Sequence, residues 1–260
     1  MAQAVLHWMK EGRGPMVVLG HALGCDLGMW DGVAAILKAR YTVLRYDQRG
    51  HGRSQAPPGP YTLAMLADDA ARLISAQAAG PVHFVGLSMG GMVAQALAAS
   101  HPQLLKSIAI ANATHWYDDA ARTLWRARVN TVLTQGVGAV ADGAMQRWFT
   151  PEFRADQAGG GAVRVAALRH RLESTDAAAY AASCEAVAGI DFRASNRRIR
   201  CPALVIAGTR DEATPVAMLQ AVCSSIPGAQ WRTLEAAHLS AVEQPAAFAS
   251  LLEEFFKNVR

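Results

Sequence analysis

A chain of 260 residues, 52% apolar and 18% charged, carries enough hydrophobic side chains for one large core and has no charge block or low-complexity segment that would leave it disordered. No apolar run approaches the roughly 18 residues a membrane span needs, and Met1-Ala2-Gln3-Ala4-Val5-Leu6-His7-Trp8 lacks a basic leader with an apolar stretch behind it, so a cytoplasmic protein with no membrane partner is expected. The formal charge of +4 comes from dispersed arginines and not from a lysine-rich stripe, which argues against nucleic acid and suits a small anionic ligand.

In chain order, short aliphatic and β-branched runs alternate with helical patterns: Met16–Leu19, Tyr41–Tyr46, Val82–Val85, Ser107–Ile110 and Ala203–Ala207. Near-continuous apolar strands separated by helices are what a parallel sheet covered on both faces requires. The predicted class is α/β, with a mostly parallel central sheet flanked by helices. From about Ala113 to Ala194 the alternation stops, and the sequence turns helical and rich in Ala and Arg, with aromatics at Trp116, Tyr117, Trp125, Trp148, Phe149, Phe153 and Tyr180. Helices inserted between two strands of a parallel sheet belong over the carboxyl ends of the strands, where ligands bind. The expected organisation is therefore a core of residues 1–112 and 195–260 and a helical lid of residues 113–194. Most of the lid aromatics are expected to form its own core, and Gly159-Gly160-Gly161 to make a flexible break between its helices.

Cys25, Cys184, Cys201 and Cys223 are scattered and form no C-x-x-C pair, which fits reduced, buried thiols better than disulfides or zinc. Nothing else resembles a metal-ligand cluster, so neither metal nor cofactor is expected. No feature of the sequence bears on oligomeric state.

Val82-His83-Phe84-Val85-Gly86-Leu87-Ser88-Met89-Gly90-Gly91-Met92-Val93 reads as strand, sharp turn and helix, with glycines two residues either side of Ser88. That is the spacing of a nucleophile elbow, in which strand and helix nearly touch and a serine hydroxyl is lifted clear of the sheet at a helix N-terminus. A serine needs a base, and the base needs an acid to orient it. Asp211 follows the strand that ends at Ala207-Gly208, and His238 follows Trp231-Arg232-Thr233-Leu234. Both lie past the carboxyl ends of strands, in the chain order serine, acid, histidine of the α/β-hydrolase fold. Asp191 and Glu212 are rival acids; the first is expected in the lid, and the second should point away if Asp211 faces the histidine. The two oxyanion amides are expected from Met89, after the nucleophile, and from Leu23 in Gly20-His21-Ala22-Leu23-Gly24. His21 itself is expected to pack the loop. Tyr46-Asp47-Gln48-Arg49-Gly50-His51-Gly52-Arg53-Ser54 lacks the spacing of a phosphate loop, and its charges are expected to tie the strand-to-helix loop near the site's rim.

With those residues in hand, the sequence resembles the bacterial 3-oxoadipate enol-lactonases over nearly its whole length. The matching stretches are residues 23–30 (Leu-Gly-Cys-Asp-Leu-Gly-Met-Trp), Val43–Gly52, Gly59-Pro60-Tyr61-Thr62, Gly86–Gly91, Arg147-Trp148-Phe149-Thr150-Pro151 and His238–Pro245. The elbow and the Arg-Gly-His-Gly loop are common to many α/β-hydrolases; Asp-Leu-Gly-Met-Trp and Arg-Trp-Phe-Thr-Pro are more particular to the lactonases. The chain departs from the family at His21-Ala22, where the lactonases typically read Asn-Ser, in a shorter N-terminal hairpin, and in the triple glycine of the lid. The resemblance implies a small anionic lactone or ester as substrate, with Arg128 in the first lid helix, or else Arg147, holding its carboxylate, and Trp30 and Trp148 as apolar walls. A broader carboxylesterase, a carbon–carbon hydrolase of meta-cleavage products and a non-enzymatic ligand-binding homologue are the alternatives; the complete set of Ser88, Asp211 and His238 speaks against the last.

Overall fold

The computed structural model describes residues 3–259. Among them seven strands form one sheet: β1 (Trp8–Glu11), β2 (Met16–Gly20), β3 (Thr42–Tyr46), β4 (Val82–Leu87), β5 (Leu105–Ala111), β6 (Ala203–Gly208) and β7 (Gln230–Leu234). Their spatial order is β1-β3-β2-β4-β5-β6-β7, with β1 antiparallel to β3 and the other pairings parallel. Every residue of β4 and β6 is buried, the signature of strands covered by helices on both faces. The edge strand β1 escapes the sequence patterns because it is short and mostly exposed, Trp-Met-Lys-Glu, with no apolar face to read.

Eleven α-helices accompany the sheet among the described residues: α1 (Asp31–Leu37), α2 (Leu63–Gln77), α3 (Met89–Ser100), α4 (Asp119–Gln135), α5 (Ala141–Trp148), α6 (Pro151–Ala155), α7 (Gly161–Glu173), α8 (Ala177–Ala188), α9 (Val216–Ser225), α10 (Ser240–Glu243) and α11 (Pro245–Lys257). Helices α4 to α8 all lie between β5 and β6 in the chain. Polar caps start three of them: Asp118 accepts from Ala121 N ahead of α4, Thr150 from Phe153 N ahead of α6, and Asp176 from Ala179 N ahead of α8. Gly160, at φ 79°, ends the turn between α6 and α7. The two connections to this insertion pair with each other, through a bridge between Trp116 and Asp191 and a hydrogen bond from Phe192 N to His115 O at 2.7 Å.

From β2 the chain passes to β3 on one side and then crosses to β4 on the other. The reversal puts the switch point of the sheet between β2 and β4, where loops diverge and leave a crevice at the carboxyl ends of the strands. The loops leaving those two strands contain Leu23 and Ser88. All four cysteines are free; Cys25 and Cys184 are buried as expected, whereas Cys201 and Cys223 are only partly buried, packed against the edge of the core. No described helix is long and apolar enough to cross a membrane.

Candidate active site

Ser88 occupies the turn between β4 and α3 at φ 55°, ψ −117°, a backbone region that a non-glycine residue enters only at a cost of about 1–3 kcal/mol. The turn is possible because its flanks lack side chains. A Cβ on Gly86 would lie 2.0 Å from the Gly90 carbonyl oxygen, and one on Gly90 2.1 Å from that of Gly20. Strand, helix and the neighbouring β2 thus close to backbone contact, and the serine projects from the top of the sheet.

The Ser88 hydroxyl lies 2.9 Å from His238 Nε2, and His238 Nδ1 lies 2.9 Å from Asp211 Oδ2. His238 and Asp211 are both buried. The carboxylate is heavily solvated by the protein: Oδ2 also accepts from the Thr214 hydroxyl at 2.6 Å and from Asn112 Nδ2 at 2.9 Å, while Oδ1 accepts from the Ala213 and Thr214 amides at 2.8 and 2.9 Å. Burial pushes this carboxyl's pKa up, but the histidine beside it and the hydrogen bonds from His238 and Thr214 outweigh burial and hold it below the ordinary value. With Asp211 ionised, His238 keeps its proton on Nδ1 and presents Nε2 to the serine.

Asn112, Thr214, Ser240 and Glu243 are the supporting residues that pattern reading did not find. Asn112 directly follows β5 at φ 47°, a conformation Asn tolerates better than most residues, and its Oδ1 accepts from Ser240 Oγ at 2.6 Å. A fully buried polar residue closing an apolar strand was the one available signal. Glu243 accepts from the Thr150 amide at 2.6 Å and the Ala237 amide at 3.1 Å, and Leu239 N donates to Trp148 O at 3.0 Å. The end of α5 is thereby stitched to the loop that carries His238. Burial raises the Glu243 pKa despite those two amide hydrogen bonds.

A cavity of about 590 Å³ opens over Ser88 and His238. Leu23, Trp148, Arg128 and Arg147 line it, together with Tyr117 and Trp125 from the insertion and Glu212 from the loop after β6. Neither the Leu23 N–H nor the Met89 N–H has an acceptor among the described residues. Arg128 stacks on Trp125 and Tyr180, at 5.5 and 5.6 Å from their ring centroids, and donates to the Tyr180 hydroxyl. Its Nε has no partner. Burial, and then the charge of Arg128, lower the pKa of Arg147. Neither guanidinium is paired with a carboxylate among the described residues. Asp191 pairs with Arg193 at 2.7 Å, away from the histidine.

One expected wall is corrected. Trp30 is completely buried and does not line the cavity; its indole packs edge-on against Phe248 of α11 at 5.8 Å, so core packing claims the side chain. Of the eight aromatics in residues 113–194, Tyr117, Trp125 and Trp148 line the cavity and the others do not.

A doubly wound sheet with a glycine-flanked serine at the strand-to-helix turn after β4, hydrogen-bonded to a histidine after the last strand, defines the α/β hydrolases. The chain belongs to this family, whose alpha/beta hydrolase fold profile matches residues 15–245, and it is a hydrolase. Among curated proteins it is 38% identical to 3-oxoadipate enol-lactonase 2 of Acinetobacter baylyi, over 94% of this chain and 89% of that one. Among solved structures it is similar to the enol-lactonase of Burkholderia xenovorans LB400, with 36% identity, a TM-score of 0.91, and 97% and 96% of the two chains covered. A malate-bound thermophilic esterase from Thermogutta terrifontis is 28% identical with a TM-score of 0.90, over 98% of this chain and 93% of that one.

Proposed function

We propose that the chain is a serine hydrolase that opens 3-oxoadipate enol-lactone to 3-oxoadipate through an acyl-enzyme on Ser88, as a cytoplasmic step of the β-ketoadipate pathway. The observation that carries this reading is the unbroken line from the Ser88 hydroxyl through His238 to Asp211, at 2.9 Å in both links. In it, His238 Nε2 takes the hydroxyl proton as Ser88 Oγ attacks the ring carbonyl, and Asp211 stabilises the imidazolium that forms. The Leu23 and Met89 amides, both without protein acceptors, receive the carbonyl oxygen as it becomes an oxyanion. His238 then returns the proton as the ring C–O bond breaks, and the enol released tautomerises to the ketone. Water, deprotonated by the same nitrogen, attacks the acyl-enzyme and frees the carboxylate product from Ser88.

The substrate's own carboxylate belongs with Arg128, which lines the cavity with its guanidinium in a stacked, fixed orientation, with Arg147 as its neighbour. The insertion of residues 113–194 acts as the lid that brings these cations over the serine. A second reading, a carboxylesterase of broader range, is favoured by the cavity volume of about 590 Å³, which lies in the range that drug-sized ligands fill and exceeds what so small a lactone needs.

Two measurements test the proposal. Labelling by a fluorophosphonate is expected in the wild type and absent in Ser88→Ala; labelling that survives the substitution refutes the nucleophile. Comparison of kcat/KM for 3-oxoadipate enol-lactone, p-nitrophenyl acetate and a meta-cleavage product then decides the substrate, the lactone being expected to lead.

A further inference from the structure

We propose that His21 and His51 are positioning residues that aim the Leu23 N–H at the oxyanion, each neutral imidazole gripping one of two consecutive peptide groups. The inference rests on the proposed reading of the Leu23 amide as an oxyanion donor, and it assigns a task to two buried histidines that lie outside the hydrogen-bonded line through Ser88.

The argument begins with the planarity of the peptide bond. The Leu23 N–H belongs to the Ala22–Leu23 peptide, in which the carbonyl and the N–H point in opposite directions. Whatever grips the Ala22 oxygen therefore sets where the Leu23 N–H points. His21 Nδ1 lies 2.8 Å from Ala22 O, and Cys25 N donates to the same oxygen at 3.1 Å. The other ring nitrogen settles the tautomer. The Gln48 amide donates to His21 Nε2 at 2.8 Å, so Nε2 carries no proton and Nδ1 must be the donor to Ala22. Gln48 closes the arrangement by donating from Nε2 to His21 O at 2.6 Å.

The next peptide is held in the same way. Gly24 N donates to His51 Nε2 at 3.0 Å, which leaves His51 Nδ1 as the protonated nitrogen, 3.1 Å from Arg49 O. The two rings sit 5.2 Å apart, and both anchor on the loop after β3. That loop is rigid for its own reasons: Arg49 makes a forked, fully buried contact with Asp69 at 2.5 and 2.8 Å, and Asp47 accepts from Leu27 N at 2.7 Å. Burial keeps both imidazoles neutral, pushing His21 down to about 4 and His51 down to about 3. A histidine that only filled space would need neither nitrogen matched; here all four ring nitrogens are within hydrogen-bond distance of backbone groups.

The test compares variants that keep or lose the one atom that matters. In His21→Asn, the side-chain Nδ2 can stand where Nδ1 stands and donate to Ala22 O; in His51→Gln, Oε1 can stand where Nε2 stands and accept from Gly24 N. His21→Leu and His51→Leu fill similar space with neither. For each Leu variant kcat on p-nitrophenyl acetate should fall about tenfold to a hundredfold, less than the roughly 10²–10³ that deleting an oxyanion donor costs. Its KM should stay within about threefold of wild type. Affinity for a trifluoromethyl ketone, whose adduct places an oxyanion in the same hole, should drop by the same factor as kcat/KM, and the Asn and Gln variants should recover most of both. The inference is overturned if a folded Leu variant binds the ketone as tightly as wild type, or if His21→Asn and His51→Gln are as poor as their Leu counterparts. Should His21→Leu fail to fold, the His51 pair alone decides. A wild type that neither cleaves the ester nor binds the ketone would instead refute the hydrolase reading itself.

Discussion

Arg128→Ala measures how far binding depends on an anionic substrate. The guanidinium is held between Trp125 and Tyr180, spends one donor on the Tyr180 hydroxyl, and belongs to a side chain that lines the cavity over Ser88. A hydrogen bond to a charged group is worth about 1.5–3 kcal/mol, which corresponds to about a tenfold to hundredfold rise in KM. Arg147 limits the loss. It lines the same cavity, and Arg128 is one of the two influences that depress its pKa, so removing Arg128 relieves Arg147 and leaves a cation nearby. The single substitution should therefore fall near the tenfold end and the double substitution Arg128→Ala with Arg147→Ala near the hundredfold end. The assay compares an anionic lactone with neutral p-nitrophenyl acetate, for which KM should barely move in any variant. Equal losses on the two substrates, or an unchanged KM for the anionic lactone in the double variant, would refute the reasoning.

Asp211→Asn keeps the shape of the site but lets His238 take the wrong tautomer, so kcat should drop about 10⁴-fold with little change in KM; a loss under tenfold would remove Asp211 from its proposed role. Trp30→Ala should lower stability by about 3–5 kcal/mol in denaturant titration and leave KM unchanged in whatever folds, because its indole is packed on Phe248 and away from substrate; a raised KM would return it to the cavity wall. Stability should fall as pH drops below about 6.5, because burial holds His21, His51 and His83 down to about 4, 3 and 4, so the unfolded chain takes up protons that the folded chain refuses. Each such group contributes a slope of about 1.4 kcal/mol per pH unit, and Asp26 and Glu243, whose pKa values burial raises, act in the opposite direction. Urea titrations between pH 7 and 5 should show the decline, shallower in His51→Gln, and a flat profile would contradict it.

What the sequence makes legible follows from which physical constraint each residue obeys. Strands β2 to β6 read directly, since burial on both faces demands unbroken apolar runs, and the insertion reads because helical patterning displaces them for some eighty positions. The elbow reads because backbone contact at Gly86 and Gly90 excludes every side chain, so composition and geometry are the same statement there. Ser88, Asp211 and His238 are brought together as chain order and strand ends suggested, at 2.9 Å in both links. Strand β1 does not read, because an exposed four-residue edge needs no particular side chains. Trp30 misleads for a related reason: it stands in a stretch particular to the lactonases, and a fully buried tryptophan in the core has the same sequence appearance as one in a pocket wall.

Of the contacts that stayed hidden, several are made to backbone groups. Glu243 holds the amides of Thr150 and Ala237, His21 the carbonyl of Ala22, and His51 the amide of Gly24. A side chain that pairs with a side chain leaves two marks in a sequence; one that pairs with a peptide group leaves a single mark, since every residue carries the partner. Two of these contacts also join segments far apart in the chain, His51 to Gly24 across 27 positions and Glu243 to Thr150 across 93. Only the closing of the sheet around its switch point makes them neighbours. The side chains that perform the proposed chemistry are therefore readable from type and order, while those that hold the loop after β2 and the loop carrying His238 emerge only once the fold has placed a backbone group within reach.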